Sequence, residues 1–372
     1  MPCDYFLLPH AGIQSLSPYI PGKSVEEVAR EHGITNIIKL ASNENAFGCS
    51  PSVLKVLASL SVEQIITYPQ GAEDPLKRQL ADMLALDEDM LTLGNGSDVF
   101  IPLLQTIFAL HRDKQILTHD YAFMTYAIQA QIQGIPVIKS PLKPDFRVDM
   151  DAMIKACDDA RIALIFLANP NNPTGLPVPA YELKRLIESI PETTVLVVDE
   201  AYYEFVTSPD KDDTKALLKS HPNLVIMRTF SKAYGLAGLR LGYAMTSPEI
   251  TSLLHRLMLP FTVNKAALLA GSAALKDQHF IEKTVQNTLK GLQQVQLGLD
   301  RLKIDHLPSS CNFITLDCKK ETLSLYQNLL RHGIIVRPLH PYGLYHHLRV
   351  TIGTEQQNRR FLDTFEELYD PK

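Results

Sequence analysis

Paired cysteines, long apolar runs and an excess of basic residues are all missing from this sequence. No apolar stretch reaches the length that a membrane-spanning helix needs, and the N-terminus lacks the basic and apolar segments of an export signal. The formal net charge of −5 also argues against nucleic acids and anionic membranes, which attract clustered Lys and Arg. The sequence therefore predicts a soluble, cytoplasmic protein with no nucleic-acid partner and no membrane partner.

The five cysteines are odd in number, lie far apart and form no C-x-x-C pair. A disulfide framework or a zinc site needs paired or closely spaced ligands. We therefore expect reduced thiols, as is typical of cytosolic proteins, and no metal site.

Between about residues 48 and 260, apolar strand candidates alternate with amphipathic helices. The strand candidates are residues 90–94, 115–120, 136–140, 162–168, 195–200, 224–230 and 240–245. This alternation predicts an α/β fold with a mainly parallel sheet covered by helices on both faces. In such a sheet, ligands bind at the carboxyl ends of the strands.

The flanking segments differ in composition and pattern. Residues 1–47 are rich in Pro, Gly, Ser and Asn and predict an N-terminal arm, which precedes a large domain at 48–263. Residues 264–372 predict a linking helix with periodicity over 264–302, followed by a small α+β C-terminal domain. That domain has strand candidates at 312–317, 333–339 and 347–353 and a helix at 321–333.

Two short motifs follow strand candidates and precede helices or turns. GNGSD, residues 94–98, offers flexible glycines and a helix N-terminus, which together suit a phosphate through the N–H groups near Gly96, Ser97 and Asp98. NPNNPTG, residues 169–175, is a rigid loop that can aim the amide of Asn172 into a cleft. Each motif alone is also compatible with a plain turn.

Two further motifs place charged side chains at strand ends. In VVDEAYYEF, Asp199 ends an apolar strand, where a carboxylate is costly without a cationic partner, and Tyr202 follows three residues later. In TFSKAYGLAGLR, Lys232 can form a Schiff base with an aldehyde. Hydroxyls and a guanidinium that can bind a phosphate come from Thr229, Ser231 and Arg240.

These groups together match one cofactor, pyridoxal 5′-phosphate (PLP). They supply a phosphate cradle, a carboxylate for a ring nitrogen, donors for a ring hydroxyl and an amine for an aldehyde. The motifs resemble those of the fold-type I PLP-dependent aminotransferases, class-II subgroup, and most closely the histidinol-phosphate aminotransferase group. The resemblance extends from SLSPYIPGKS and KLASNENAFG to RPLHPYGLYHHLRVTIGT, essentially the whole chain.

The resemblance implies a role for each matching residue. Lys232 would hold the cofactor and move a proton during catalysis, with Asp199 at the ring nitrogen and Tyr202 and Asn172 at the ring hydroxyl. The phosphate would be held by Ser97, Asp98, Thr229, Ser231 and Arg240, and Phe123 would stack on the ring. Tyr68 would reach the neighbouring active site of a homodimer, although Thr67 replaces the arginine that commonly precedes this tyrosine.

For the substrates, the resemblance implies histidinol phosphate together with glutamate and 2-oxoglutarate, in histidine biosynthesis. Arg349 would bind a carboxylate, whereas Arg337 and Tyr19 would lie near the substrate phosphate. Alternatives within the scaffold are an aromatic or broad-specificity aminotransferase, a lyase of the threonine-phosphate decarboxylase kind and a PLP-sensing module of a regulator. A nicotinamide dehydrogenase lacks support, because GNGSDV has only the first two glycines of G-x-G-x-x-G.

Overall fold

The computed structural model of the protein describes residues 3–17, 22–69, 74–111, 113–207, 211 and 213–369. Its strands are β1 (Ile38–Lys39), β2 (Leu91–Gly94), β3 (Gln115–His119), β4 (Val137–Ser140), β5 (Ile162–Ala168), β6 (Val195–Asp199), β7 (Leu224–Thr229), β8 (Gly242–Met245), β9 (Asp305–His306), β10 (Phe313–Asp317), β11 (Ile334–Ile335), β12 (Arg337–Pro338) and β13 (His347–Thr351). Its α-helices are α1 (Ala11–Gln14), α2 (Val25–His32), α3 (Pro51–Ala58), α4 (Val62–Ile66), α5 (Pro75–Leu84), α6 (Phe100–Phe108), α7 (Thr125–Gln133), α8 (Met150–Ala156), α9 (Ala180–Ser189), α10 (Pro248–Leu257), α11 (Lys265–Lys276), α12 (Gln278–Arg301), α13 (Leu323–Arg331) and α14 (Glu355–Leu368).

Among the described residues, seven strands form one large sheet in the order β2-β8-β7-β6-β5-β3-β4. The strands from β7 across to β4 pair in parallel, whereas β8 is antiparallel to both of its neighbours. The central strands β5, β6 and β7 are buried along their whole length, which explains their continuous runs of apolar residues. The predicted α/β fold with a mainly parallel sheet is confirmed, and each strand candidate of the large domain lies on one of these strands.

The register of the central strands brings their carboxyl ends to a common edge. Ala168 at the end of β5 pairs with Asp199 at the end of β6, and Asp199 pairs with Met227 on β7. The residues that follow these strands therefore face the same space above the sheet.

A smaller antiparallel sheet has the order β12-β13-β10-β9. The helices α12, α13 and α14 cover it and contribute Leu299, Leu329 and Phe361 to a buried core. The strand expected over 333–339 is divided, because β11 pairs with β1 whereas β12 pairs with β13. Leu339, the next residue, still donates its N–H to the carbonyl of His347 on β13 at 3.1 Å, so Pro338 lies at a position where this pairing needs no N–H.

The linking helix expected over 264–302 is two helices. Asp277 follows α11 and accepts a hydrogen bond from the N–H of Phe280, which makes it the N-cap of α12. Aspartate is favoured at this position, and the chain changes direction there. The helix α12 then runs from Ile281, in the core beside the large sheet, to Val295 in the core of the small sheet.

The second half of the N-terminal segment packs on the small domain. β1 pairs in parallel with β11, and Val28 and Ala41 are buried against Leu330 and Ile335. The division of the chain at residues 47 and 263 stays a prediction. The five cysteines are free thiols, and the described residues include no helix long and apolar enough to cross a bilayer.

Candidate active site

A cavity of about 300 Å³ lies at the carboxyl edge of the large sheet. The sequence-predicted residues that line it are Ser97, Asp98, Phe123, Asn172, Asp199, Tyr202, Thr229, Ser231, Lys232 and Arg240. They come from separate segments that the parallel strands bring to one edge. A cavity of about 330 Å³ beside Phe261 contains none of the predicted site residues, so we regard the first cavity as the candidate active site.

Lys232 follows β7 and is half-buried. Its Nζ donates a hydrogen bond to the carbonyl of Ser42 at 3.2 Å and lies 5.8 Å from the centre of the Tyr202 ring. Burial lowers the pKa of this ammonium to about 8, and the positive charge of Arg349 adds to the effect. About a tenth of the lysine is therefore the neutral amine at pH 7, against less than about a thousandth at the ordinary pKa, and the neutral amine is the form that a nucleophile requires.

Asp199 ends β6 and is 7% exposed. One carboxylate oxygen accepts a hydrogen bond from the Tyr126 hydroxyl at 2.8 Å, and the other accepts from the N–H of Ala201 at 3.2 Å. Burial raises the pKa of Asp199 to about 6, despite these two donors. The carboxylate is thus held at the floor of the cavity in a setting that favours a cationic neighbour.

Tyr126 was missed by the sequence analysis. It lies on α7, is fully buried and stacks on Phe166 with 4.8 Å between ring centroids, so its sequence pattern is that of an ordinary core aromatic. Phe123 precedes α7, which begins at Thr125, so no helix spacing in the sequence linked Tyr126 to the site. The two rings meet edge to face at 5.6 Å.

Tyr202 and Asn172 are each held by a residue from another part of the chain. The Tyr202 hydroxyl accepts a hydrogen bond from Asn43 Nδ2 at 2.8 Å, and burial raises its pKa well above the ordinary value. Asn172 Oδ1 accepts from Arg349 Nη1 at 2.5 Å, and Arg349 Nη2 donates to the carbonyl of Ala41 at 2.7 Å. The sequence analysis missed Asn43, because an uncharged residue in a turn-rich arm carries no chemical signal.

The expected phosphate cradle is assembled around Arg240. Its Nη2 pairs with Asp98 Oδ1 at 2.9 Å, and its Nη1 lies 3.5 Å from Ser231 Oγ. Gly96 has a φ of +83°, and a Cβ at this position would collide with both Arg240 and Asp98. Only glycine leaves this space open, next to the N-terminal ends of a 3-10 turn and of α6.

Thr229 completes this end of the cavity. Its Oγ1 accepts a hydrogen bond from the N–H of Ser231 at 3.0 Å and donates to the carbonyl of Leu241 at 3.3 Å. The loop after β7 is thereby fixed where Ser231 and Lys232 enter the cavity.

Arg337 on β12 and Arg349 on β13 lie opposite each other in the register of the two antiparallel strands. Arg349 is 8% exposed and Arg337 is half-buried. Like charges opposite each other on neighbouring strands repel, so this pair favours an anion between or beside them. The small sheet therefore brings two cations towards the side of the cavity where Arg349 contacts Asn172.

Among the remaining predicted residues, Tyr68 does not line the cavity. Tyr68 is 77% exposed and stacks on Phe261 with 4.4 Å between ring centroids. Thr67 donates to the carbonyl of Glu63 within α4 and its C-terminal turn. Tyr19 lies outside the described residues.

A buried ion pair beside the site was also missed. Arg228 and Glu200 are almost fully buried, and Arg228 Nε donates to Glu200 Oε2 at 2.7 Å. Each is the chain neighbour of a cavity residue, Thr229 or Asp199. A charged residue inside the apolar run LVIMRTF was the signal for this pair, which joins the ends of β6 and β7.

This fold and this set of groups define a class of enzyme, the aminotransferases of class I and II, and the chain belongs to that family. The family model for aminotransferase class I and II matches residues 35–365. The chain is 50% identical over 369 residues to histidinol-phosphate aminotransferase 2 of Legionella pneumophila, covering 99% of this chain and 100% of the relative.

Solved structures agree with this assignment. Histidinol-phosphate aminotransferase from Sinorhizobium meliloti, in complex with pyridoxal-5′-phosphate, superposes with a TM-score of 0.88 at 27% identity, covering 97% of each chain. L-threonine-O-3-phosphate decarboxylase from Porphyromonas gingivalis gives a TM-score of 0.75 at 25% identity, over 89% of this chain and 99% of that one. The family resemblance predicted from the motifs is confirmed.

The buried Asp199 carboxylate should destabilise the cofactor-free protein at neutral pH. Its pKa is about 6 in the fold against an ordinary 3.8, so ionisation favours the unfolded chain. Below about pH 4 the carboxyl is neutral and its burial lowers the stability of the fold least. This part of the free energy of unfolding is lost as the pH rises to about 6. We expect Asp199→Asn to raise the free energy of unfolding of the cofactor-free protein by about 1–2 kcal/mol at about pH 8 and by roughly a third of that at about pH 4.5.

Urea denaturation at the two pH values measures this difference. Asp82→Asn, at an exposed position of α5, is the matched control and should change little at either pH. A cofactor-free Asp199→Asn protein that is less stable than the parent at pH 8 would contradict the assigned electrostatics.

Proposed function

We propose that the protein is a PLP-dependent aminotransferase that converts histidinol phosphate and 2-oxoglutarate to imidazole-acetol phosphate and glutamate. The observation that carries the proposal is the meeting, in one cavity, of Lys232, Asp199 and the Arg240 cradle, with two arginines opposite each other on β12 and β13. The name of the relative that is 50% identical along the full chain supports the choice of substrate. The free thiols support a reducing, cytoplasmic location.

The cavity fits PLP in its chemistry and in its space. A buried carboxylate lies at one end, hydroxyls and a guanidinium lie at another, and a lysine with a lowered pKa lies on the wall. The open space that Gly96 leaves beside Arg240 suits a phosphate. We assign the phosphate to Gly96, Ser97, Asp98, Thr229, Ser231 and Arg240, the ring nitrogen to Asp199, the ring hydroxyl to Asn172 and Tyr202, the ring face to Phe123 and the aldehyde to Lys232.

When bound, the cofactor supplies an electron sink that acidifies the Cα–H of the amino substrate. Asp199, when ionised, favours the protonated ring nitrogen and so strengthens this effect. Lys232, whose pKa is lowered to about 8 in the empty cavity, would be the group that moves a proton to and from the Cα of the substrate when its own amine is free. Tyr202 and Asn172 would orient the ring.

Arg349 and Arg337 serve the two substrates. Arg349, which Asn172 and the Ala41 carbonyl hold in place, suits the α-carboxylate of glutamate and 2-oxoglutarate. Arg337, opposite it, suits the phosphate of histidinol phosphate, a substrate that lacks an α-carboxylate. Tyr19 would lie at the same end of the substrate, by the family resemblance.

The proposed choice of substrate is tested by following single half-reactions. The PLP-loaded enzyme is mixed with histidinol phosphate or with phenylalanine, and the absorbance of the lysine-bound cofactor is followed. We expect histidinol phosphate to react at least about tenfold faster, because only it offers a phosphate to the arginines. Lys232→Ala is the control and should lack the lysine-dependent band.

Other outcomes of this experiment would indicate a different substrate or reaction. Equal or faster reaction of phenylalanine would indicate a broad-specificity or aromatic aminotransferase. Failure of both amines, with release of CO₂ from threonine phosphate, would indicate the decarboxylase that shares this scaffold.

The phosphate role of Arg337 is tested by its removal. We expect Arg337→Ala to lower kcat/KM for histidinol phosphate roughly 30-fold and that for phenylalanine less than about threefold, since a charge-assisted contact is lost with one substrate only. Arg331→Ala, at an exposed arginine that ends α13, is the control and should change neither value. Equal losses for both substrates would contradict the assignment of Arg337 to the substrate phosphate.

We also propose that the enzyme is a homodimer in which Tyr68 reaches the neighbouring active site. The supporting feature is a set of large apolar side chains that are at least half exposed on α3, on α4 and on the segment after α10, namely Leu54, Val62, Ile65, Ile66, Leu259 and Phe261. Exposed apolar surface of this kind is typical of an interface. The stacking of Tyr68 on Phe261 connects the α4 region with the segment after α10.

Ile66→Glu should dissociate the dimer, because it places a charge in the proposed interface. Sedimentation or light scattering should give the dimer mass for the parent and about half of it for the variant. Leu297→Glu, at a 62% exposed position of α12, is the matched control and should stay dimeric. A parent protein that is monomeric, or an Ile66→Glu protein with the parent mass, would contradict this interface.

A further inference from the structure

Asn43 connects three parts of the chain at the wall of the cavity. It is 1% exposed. Its side chain contacts Tyr202 in the large domain and Thr351 on β13 of the small domain, and its carbonyl accepts a hydrogen bond from Asn312 Nδ2 at 3.0 Å. Asn43 is therefore fixed through its backbone and both ends of its amide.

The hydrogen bonds determine which way the amide is turned. The backbone N–H of Asn43 can only donate, and it donates to Thr351 Oγ1 at 2.9 Å. The Thr351 hydroxyl in turn donates to the amide oxygen Oδ1 of Asn43 at 3.1 Å, so the amide presents its acceptor atom to Thr351. The atom that faces Tyr202 is consequently the donor Nδ2, 2.8 Å from the hydroxyl oxygen.

This orientation fixes the proton of Tyr202. A phenol oxygen that accepts a hydrogen bond from an amide keeps its own proton for another acceptor. Tyr202 lines the cavity, so its O–H is free to donate to a bound ligand there. An acceptor in place of Asn43 Nδ2 would draw the same proton away from the cavity.

Asparagine suits the backbone of this position as well. Asn43 has a φ of +56°, in the left-handed region, which asparagine tolerates better than most residues. The adjoining carbonyls of Ala41 and Ser42 accept from Arg349 and Lys232. A change of backbone at Asn43 would therefore also move the acceptors of two charged site residues.

We propose that Asn43 is a positioning residue that directs the Tyr202 hydroxyl proton onto the ring hydroxyl oxygen of the cofactor, and that Thr351 holds the Asn43 amide in the required orientation. This role rests on the proposed function, because it needs PLP in the cavity. A donor to the ring oxygen stabilises its anionic form, which lowers the pH at which the lysine-bound cofactor loses its proton.

The groups that surround Tyr202 and carry charge or titrate are Arg349 on β13, Asp199 at the end of β6, Lys232 and Cys311. Glu44 also influences Lys232 electrostatically. Neither Asn43 nor Thr351 titrates or carries charge. Substitutions at these two positions therefore neither add nor remove a charge around the cofactor.

The test measures two properties of the PLP-loaded protein in the absence of substrate: the PLP dissociation constant and the pH midpoint of the visible absorbance of the lysine-bound cofactor. We expect Asn43→Ala to raise the midpoint in the same direction as Tyr202→Phe and to weaken PLP about three- to tenfold. Adding Asn43→Ala to Tyr202→Phe should weaken PLP less than about twofold further and move the midpoint by less than about 0.3 pH unit, because the two residues act through one hydroxyl.

Thr351 provides a matched pair that does not touch the cofactor. Thr351→Val has nearly the same shape but can neither donate to Oδ1 nor accept from the N–H of Asn43, so it should reproduce part of the Asn43→Ala shift. Thr351→Ser keeps both hydrogen bonds and should match the parent. If Asn43→Ala fails to fold, the two Thr351 variants still test the proposal.

A purely structural role of Asn43 would lower thermal stability without moving the absorbance midpoint. The inference is overturned if Asn43→Ala leaves the midpoint of the parent unchanged, or if its effect adds fully to that of Tyr202→Phe. A parent protein with no Lys232-dependent band would overturn the proposed function and the role of Asn43 with it. A normal band with an unmoved midpoint would overturn the role of Asn43 alone.

Discussion

The hydrogen-bonded register of β5, β6 and β7 is the constraint on which the site depends. It aligns Ala168 with Asp199 and Asp199 with Met227, so the loops that begin with Asn169, Glu200 and Phe230 all leave the sheet at one edge. A shift by one residue would turn Asp199 to the opposite face of the sheet. The buried pair of Arg228 and Glu200 joins the ends of β6 and β7 directly beside Asp199 and Thr229, where such a shift would be most costly.

A second layer of contacts comes from the short segment Ala41–Asn43. The carbonyls of Ala41 and Ser42 accept from Arg349 and Lys232, and the side-chain amide of Asn43 donates to Tyr202, so this segment contacts a cation from each domain and the phenol between them. The same segment follows β1, which is paired with β11 of the small domain. The position of the small domain is thereby linked to side chains that line the cavity, through hydrogen bonds of the backbone as much as through side chains.

The sequence predicted the large sheet well, because its buried parallel strands are continuous apolar runs that end in polar motifs. It predicted the cavity residues that carry charge or a distinctive motif, such as Lys232, Asp199 and Arg240, and the structure brings these together. It did not predict Tyr126 or Asn43, whose importance comes from partners far away in the chain. It also did not predict the break at Asp277, since an isolated aspartate in an amphipathic pattern is equally compatible with an exposed helix position.

In the cofactor-free site, the burial of two ionisable groups lowers the stability of the fold, and ligand binding can offset this loss. Burial raises the pKa of Asp199 to about 6 and lowers that of Lys232 to about 8, so each group is pushed towards its neutral form. A ligand with a cationic ring nitrogen offsets the first desolvation cost, and a covalent partner for the amine removes the second. Any ligand that binds only the folded chain shifts the folding equilibrium in favour of the native state. The same two groups that make chemistry possible therefore couple the stability of the fold to the presence of its cofactor.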